Sequence, residues 1–143
     1  GCFEVFSSAT GLIRMTKEAM AEDKETVMHK ITAERNGKVT ARTSFDAMRM
    51  GDKTAKAVVD KFIKYLAAGI TNTINIFQPD TLAIGGGVSN ESDEQLLLPL
   101  RRQVAAHSLP CNYDKMARIV KAELGNDAGV IGAALLGKNK RMI

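Results

Sequence analysis

ITNTINIFQPDTLAIGGGVSN, residues 70–90, is the most informative stretch of this chain. It has the character of a helix end, a break at Pro79-Asp80, a short apolar strand from Thr81 to Ile84, and then three consecutive glycines, Gly85, Gly86 and Gly87. A buried strand that stops in glycines lets a ligand come close to bare backbone amides, because no Cβ atom blocks the approach. In open α/β sheets the crevice beyond the carboxyl end of a strand is where nucleotides and small ligands usually sit. Three glycines after a strand also suit a tight turn packed under a helix, and spacing alone does not choose between the two.

Upstream of this stretch, apolar residues fall at Ala55, Val58, Val59, Phe62, Ile63, Leu66, Ile70, Ile74 and Phe77, which predicts one long helix from Asp52 to about Phe77. Its polar stripe stops after Lys64, so its second half is expected to be buried all round, in a core or at an interface. Downstream, Ser92-Asp93-Glu94-Gln95 has capping-box spacing, and Pro99 is expected to open a fresh helix as its first residue, ending before Pro110. Met116 to Ala122 predicts a second strand. Asn126-Asp127 then caps a final helix from Ala128 to about Leu136.

Toward the start, Gly1 to Phe6 is a short apolar lead-in, and Ser7-Ser8 offers an N-cap to a helix that ends in Glu22-Asp23-Lys24-Glu25. Between Ile31 and Thr43, Asn36-Gly37 separates alternating segments and predicts a hairpin with a type I′ turn, with a mobile loop as the alternative. Thr43-Ser44-Phe45-Asp46 has the spacing of a capping box opening a short helix to Met50. Helix, strand, glycine turn, helix, strand, helix is an α/β order with too few strands for a full doubly wound sheet. A fragment or one lobe is expected, as is the chain being a piece of something longer, since it begins Gly-Cys-Phe-Glu without methionine.

The 143 residues suit one domain, with 45% hydrophobic and 25% charged residues, an ordinary globular balance. The net charge of +4 is modest, and the Lys138-Asn139-Lys140-Arg141 cluster has no interleaved aromatics, so a solvated tail is expected rather than a nucleic-acid patch. Two cysteines, Cys2 and Cys111, and no apolar run long enough to span a membrane point to a reducing, cytoplasmic setting. Cys111 is expected to be a buried or half-buried small hydrophobe, and His29 and His107 to be isolated surface residues.

Together, GCFE, FQPDTLAIGGGVSN and LGNDAGVIGAALLG resemble the C-terminal part of ROK-family proteins, which are glucokinase-type sugar kinases and related sugar-responsive repressors. The resemblance covers nearly the whole chain, poorest over Lys24 to Val39. It implies that residues 1–143 are the C-terminal lobe fragment of such a kinase, a partial RNase H-like lobe of the actin-like ATPase and sugar-kinase superfamily. In that family a C-x-C-G-x-x-G-C-x-E string supplies cysteines to a structural zinc. Here only its last portion is present, so Cys2 resembles the third zinc cysteine and Glu4 the sugar-binding glutamate. Gly85, Gly86 and Gly87 match the turn that approaches the nucleotide, and Gly125, Asn126 and Gly129 match the start of the last helix behind the same cleft. The resemblance implies ATP, Mg²⁺ and a hexose as partners, and dimers are common in the family, which leaves a homodimer open.

The family's Asp-x-Gly-Gly-Thr phosphate loop, its catalytic aspartate, its E-x-G-H sugar motif and the first two zinc cysteines are not in this sequence. The piece alone is therefore expected to be inactive and to hold no zinc. Two functions follow from the resemblance: an ATP-dependent kinase acting on the C6 hydroxyl of a hexose, or the sugar-sensing domain of a repressor with nucleic acid as its partner. A stand-alone α/β interaction module is the third reading.

Overall fold

The computed structural model describes residues 2–109 and 116–138, so the expectations for Cys111 and for most of the basic cluster at residues 139–141 lie outside the described residues. The element order is α1 (Phe3–Ser7), α2 (Ala9–Glu22), α3 (Met28–Glu34), α4 (Arg42–Arg49), α5 (Lys53–Phe77), β1 (Thr81–Ile84), α6 (Leu97–His107), β2 (Arg118–Lys121) and α7 (Ala128–Lys138). β1 and β2 pair in parallel, with Thr81 opposite Arg118 and Ile84 opposite Lys121. This is the α/β architecture expected from the sequence.

α5 is the spine. Asp52 starts it by accepting from the Ala55 N–H at 2.7 Å, and Gln78 ends it in the left-handed region at φ 48°. Val59, Phe62, Ile63 and Leu66 on its inner face pack with Leu12 of α2, Phe45 of α4 and Leu100 and Val104 of α6. At its start, the second oxygen of Asp52 takes the Thr26 hydroxyl at 2.7 Å and the Val27 N–H at 2.6 Å, which clamps the α2–α3 connection onto α5. Among the described residues the second half of α5 is covered on one face only, which corrects the expectation that a core surrounds it. Ala67, Ile70, Thr71 and Ile74 are buried, but Ala68 and Asn72 are exposed, and Ile76 and Phe77 are 72% and 74% exposed. Small and apolar residues on that outer face misled the reading, since low polarity does not by itself place a neighbour there.

The hairpin expected over residues 31–43 is not formed: α3 runs to Glu34, and turn and irregular backbone then lead to α4 at Arg42. Met28, Ile31 and Thr32 follow helical spacing and are buried, the first two against Met20, Ala47 and Ala55. Asn36 and Gly37 do adopt the positive φ values, 54° and 74°, that a type I′ turn would need. They use them to close α3: the Gly37 N–H reaches back to the Thr32 carbonyl at 2.9 Å, the helix-terminating pattern of a left-handed residue after the last turn.

The box at Thr43–Asp46 is also corrected. α4 begins at Arg42, the Thr43 hydroxyl accepts from the Thr40 N–H at 3.0 Å, and Asp46 turns outward to Arg35 and Arg49. Ser92 opens only a turn through its carbonyl, and α6 begins at Leu97, so Pro99 is its third residue rather than its first. A proline in the first helical turn gives up an N–H that has no partner there in any case. Residues 3–7 form a helix, where the sequence suggested only an apolar lead-in, and Ser8 caps α2 as expected, accepting from the Gly11 N–H at 3.1 Å. His29 is not isolated: its Nε2 lies 3.0 Å from both the Met20 and Asp23 carbonyls at the end of α2. α7 carries exposed Val130, Leu135 and Leu136, and among the described residues no helix is long and apolar enough to cross a membrane.

Candidate functional site

Because β1 and β2 run parallel and in register, their carboxyl ends lie side by side; Gly85 follows β1 directly, and Gly125 comes four residues after the end of β2. The Ala122 N–H donates to the Ile84 carbonyl at 2.9 Å, so the ladder continues one step past both strands before the chains part. After β1, Gly86 sits at φ 83° and ψ −179°, a region essentially closed to residues with a Cβ. Its carbonyl then accepts from the Ser89 hydroxyl at 2.7 Å and the Ser89 N–H at 3.1 Å, winding residues Gly87–Asn90 into a tight 3-10 turn. After β2, Gly125 takes φ 49° and opens a second 3-10 turn, Gly125–Asp127, that runs directly into α7.

The sequence left two readings of these glycines. A Cβ added at Gly86, Gly87, Gly125 or Gly129 would meet no heavy atom within 4 Å among the described residues, whereas at Gly85 it would touch the Ala122 Cβ at 3.6 Å. At Gly85 that is ordinary van der Waals contact. The others leave open space over backbone, and no helix of the described residues covers them. Bare amides beside the start of a helix suit an anionic ligand such as phosphate.

The first turn is gripped from two sides. Glu91, immediately after it, is only 5% exposed, and its carboxylate takes Arg49 Nη1 at 2.9 Å with Arg42 Nε at 3.9 Å. Arg49 also binds Asp46, which Arg35 holds at 2.6 Å. The Glu91 hydrogen bond above all, with help from Asp46, outweighs burial and raises the Arg49 pKa from its already high value. The Glu91 carbonyl accepts from Lys121 Nζ at 2.5 Å, and that amine also pairs with Asp93 at 2.7 Å. These contacts join residues far apart in sequence, and no local motif announces them.

Glu4 and Cys2 lie elsewhere on the chain. Glu4 is exposed in the first turn of α1, and its carboxylate makes no hydrogen bond or ion pair with the glycine turns among the described residues. α1 is set by close packing: the Phe3 ring lies on Gly69 of α5, the Val5 carbonyl lies against Gly11 of α2, and the Phe6 and Tyr65 rings stand 4.9 Å apart. Cys2 is an exposed free thiol preceding α1, and among the described residues no three His, Cys, Asp or Glu side chains cluster to hold a metal. Tetrahedral zinc needs three further donors, so the described residues do not fit one by themselves.

The glucokinase of Halalkalibacterium halodurans is 39% identical over 140 residues, covering 98% of this chain and 42% of that protein. The crystal structure of a ROK family glucokinase from Streptomyces griseus in complex with glucose and AMPPNP matches with a TM-score of 0.80 at 27% identity, covering 95% of this chain and 44% of that one. A ROK family transcriptional regulator, a homolog of the E. coli MLC protein, matches with a TM-score of 0.70 at 25% identity, covering 96% of this chain and 33% of that one. The chain thus spans less than half the length of each. The ROK family model itself matches residues 1–140, nearly the whole chain, and the chain belongs to the ROK family.

Proposed function

We propose that residues 1–143 form part of the C-terminal lobe of an ATP-dependent hexose kinase of the glucokinase type, which phosphorylates the sugar C6 hydroxyl. The observation that carries this reading is the two glycine turns that follow the carboxyl ends of two paired parallel strands, with open space above Gly86, Gly87, Gly125 and Gly129. Gly85, Gly86 and Gly87, with Gly125, Asn126 and Gly129, would bring backbone amides to the nucleotide. Glu4, on the exposed face of α1, would accept hydrogen bonds from two adjacent sugar hydroxyls, a task for which a carboxylate has enough lone pairs. Phosphoryl transfer rests on positioning and charge neutralisation, and this chain contributes the positioning.

The Asp-x-Gly-Gly-Thr phosphate loop and the catalytic aspartate are not among these residues, so the chain alone is inactive in this account. Mg²⁺, which neutralises phosphate charge when bound, finds no acidic cluster among the described residues and would be carried mainly by ATP itself. Cys2 would be one zinc ligand among several supplied by the intact protein. A cytoplasmic kinase, active as a homodimer, fits the same reading. A coupled assay on the intact protein tests it: glucose-dependent ADP formation is expected, with none from the isolated chain.

The likeness to a ROK transcriptional regulator favours a second reading, a sugar-sensing repressor domain. Sugar binding by the intact protein without ATP turnover, together with DNA binding relieved by sugar, would decide for it.

A further inference from the structure

We infer that Glu91 and Arg49 form a positioning strut that sets the Gly86–Asn90 turn for the nucleotide, an inference that rests on the nucleotide reading of that turn. Glu91 is the residue at which the turn is tied down. Its side chain reaches back to Arg49 at the end of α4, and its carbonyl reaches across to Lys121 at the end of β2, four residues before Gly125. One residue therefore ties the first glycine turn both to α4 and to the end of β2.

Burying a carboxylate is costly unless it is paired and hydrogen-bonded. Glu91 is nearly inaccessible at 5%, although it directly follows an exposed surface turn. Arg49 is held for the pairing: Asp46, one helical turn earlier on α4, takes its other nitrogen, and Gln95 takes Nη1 at 2.5 Å. The guanidinium does two things at once. It fixes the carboxylate, and through it the backbone of the turn, and it cancels a negative charge that would otherwise stand next to a polyphosphate.

The charge cancellation separates positioning from mere stabilisation. Removing Arg49 alone leaves the buried Glu91 carboxylate with only the longer 3.9 Å pairing to Arg42, whereas removing both charges leaves no such anion. The experiment measures, on the intact protein, the Kd for AMPPNP and for glucose by calorimetry, with the melting temperature, for Arg49→Met, Glu91→Gln and the double variant. Arg49→Met is expected to raise the AMPPNP Kd about tenfold, equivalent to about 1.4 kcal/mol. The glucose Kd should stay within about twofold, and the double variant should recover part of the loss, as coupled neighbours do.

If Arg49→Met fails to fold, Arg49→Lys, which keeps the charge but loses the guanidinium's simultaneous hold on Glu91 and Asp46, carries the test: a raised AMPPNP Kd with an unchanged glucose Kd supports the strut. A lowered melting temperature with an unchanged AMPPNP Kd, or equal losses for both ligands, overturns it. If Gly86→Val abolishes AMPPNP binding while the Arg49 and Glu91 variants bind normally, the strut fails and the nucleotide reading stands. If the unsubstituted protein does not bind AMPPNP, both fall.

Discussion

Gly69→Ala tests how α1, and with it Glu4, is held. A Cβ on Gly69 would lie 1.9 Å from Cε2 of Phe3, and ordinary contact begins at 3.4 Å, so the ring must retreat by 3.4 − 1.9 = 1.5 Å or leave. Two effects oppose each other. Alanine in place of glycine inside a helix gains about 1 kcal/mol. Phe3 is 49% exposed, so its docking covers roughly half of a phenylalanine, about 100 Å², worth about 2.5 kcal/mol at about 25 cal/mol per Å². Global stability therefore falls by about 1.5 kcal/mol, while the docking equilibrium of α1, in which the α5 propensity gain cancels, shifts by up to about 2.5 kcal/mol and raises the undocked population by up to about seventyfold. In the intact protein, hydrogen exchange over residues 3–7 should speed up, and glucose affinity should fall by up to that factor while AMPPNP affinity holds. A raised melting temperature with unchanged exchange and unchanged glucose affinity would refute the argument, because it would mean that Phe3 yields freely and does not position Glu4.

Gly86→Val should weaken AMPPNP binding strongly with little effect on glucose, because its Cβ enters open space and its φ of 83° resists any side chain; proportionate losses for both ligands would make the turn architecture alone. Asp52→Ala removes the cap of α5 and the clamp on Thr26 and Val27, and should cost about 1–2 kcal/mol in chemical denaturation. Burial pushes the Asp52 pKa up, but the Ala55 N–H, the Thr26 hydroxyl and the Val27 N–H together hold it below the ordinary value. Its stabilising contribution is therefore full above about pH 4, the unfolded value, and is lost as pH falls through the depressed folded value. Asp52→Asn should flatten that acid slope, and an unchanged slope would remove Asp52 from the account. The isolated chain should carry no stoichiometric zinc by metal analysis, and one tightly bound ion per single chain would overturn the assignment of Cys2 as a lone ligand.

Local signals carried most of the fold. The Ser8 and Asp52 caps, the apolar spacing of α5 and the strand-then-glycine pattern at Thr81–Gly87 all depend on neighbours within a few residues, and all appear where expected. The hairpin expectation failed because Asn36-Gly37 satisfies two structures with the same φ requirement, and burial of Met28 and Ile31 decided for a helix end. Gly125 drew attention as a ligand-side residue only through the family resemblance, and its turn follows the strand that pairs with β1. The Arg49–Glu91 pair spans 42 residues and was illegible, since nothing in a sequence says which surface arginine meets which glutamate. Glu4 is likewise a plain exposed carboxylate without the family motif around it.

Hydrogen exchange on the intact protein, with AMPPNP and with glucose added separately, reads where each ligand binds. AMPPNP should slow exchange in peptides covering residues 85–90 and 125–129, while glucose should slow it in the peptide covering residues 3–7. AMPPNP protection that leaves both glycine turns unchanged, with saturation shown in the same sample, would contradict that placement.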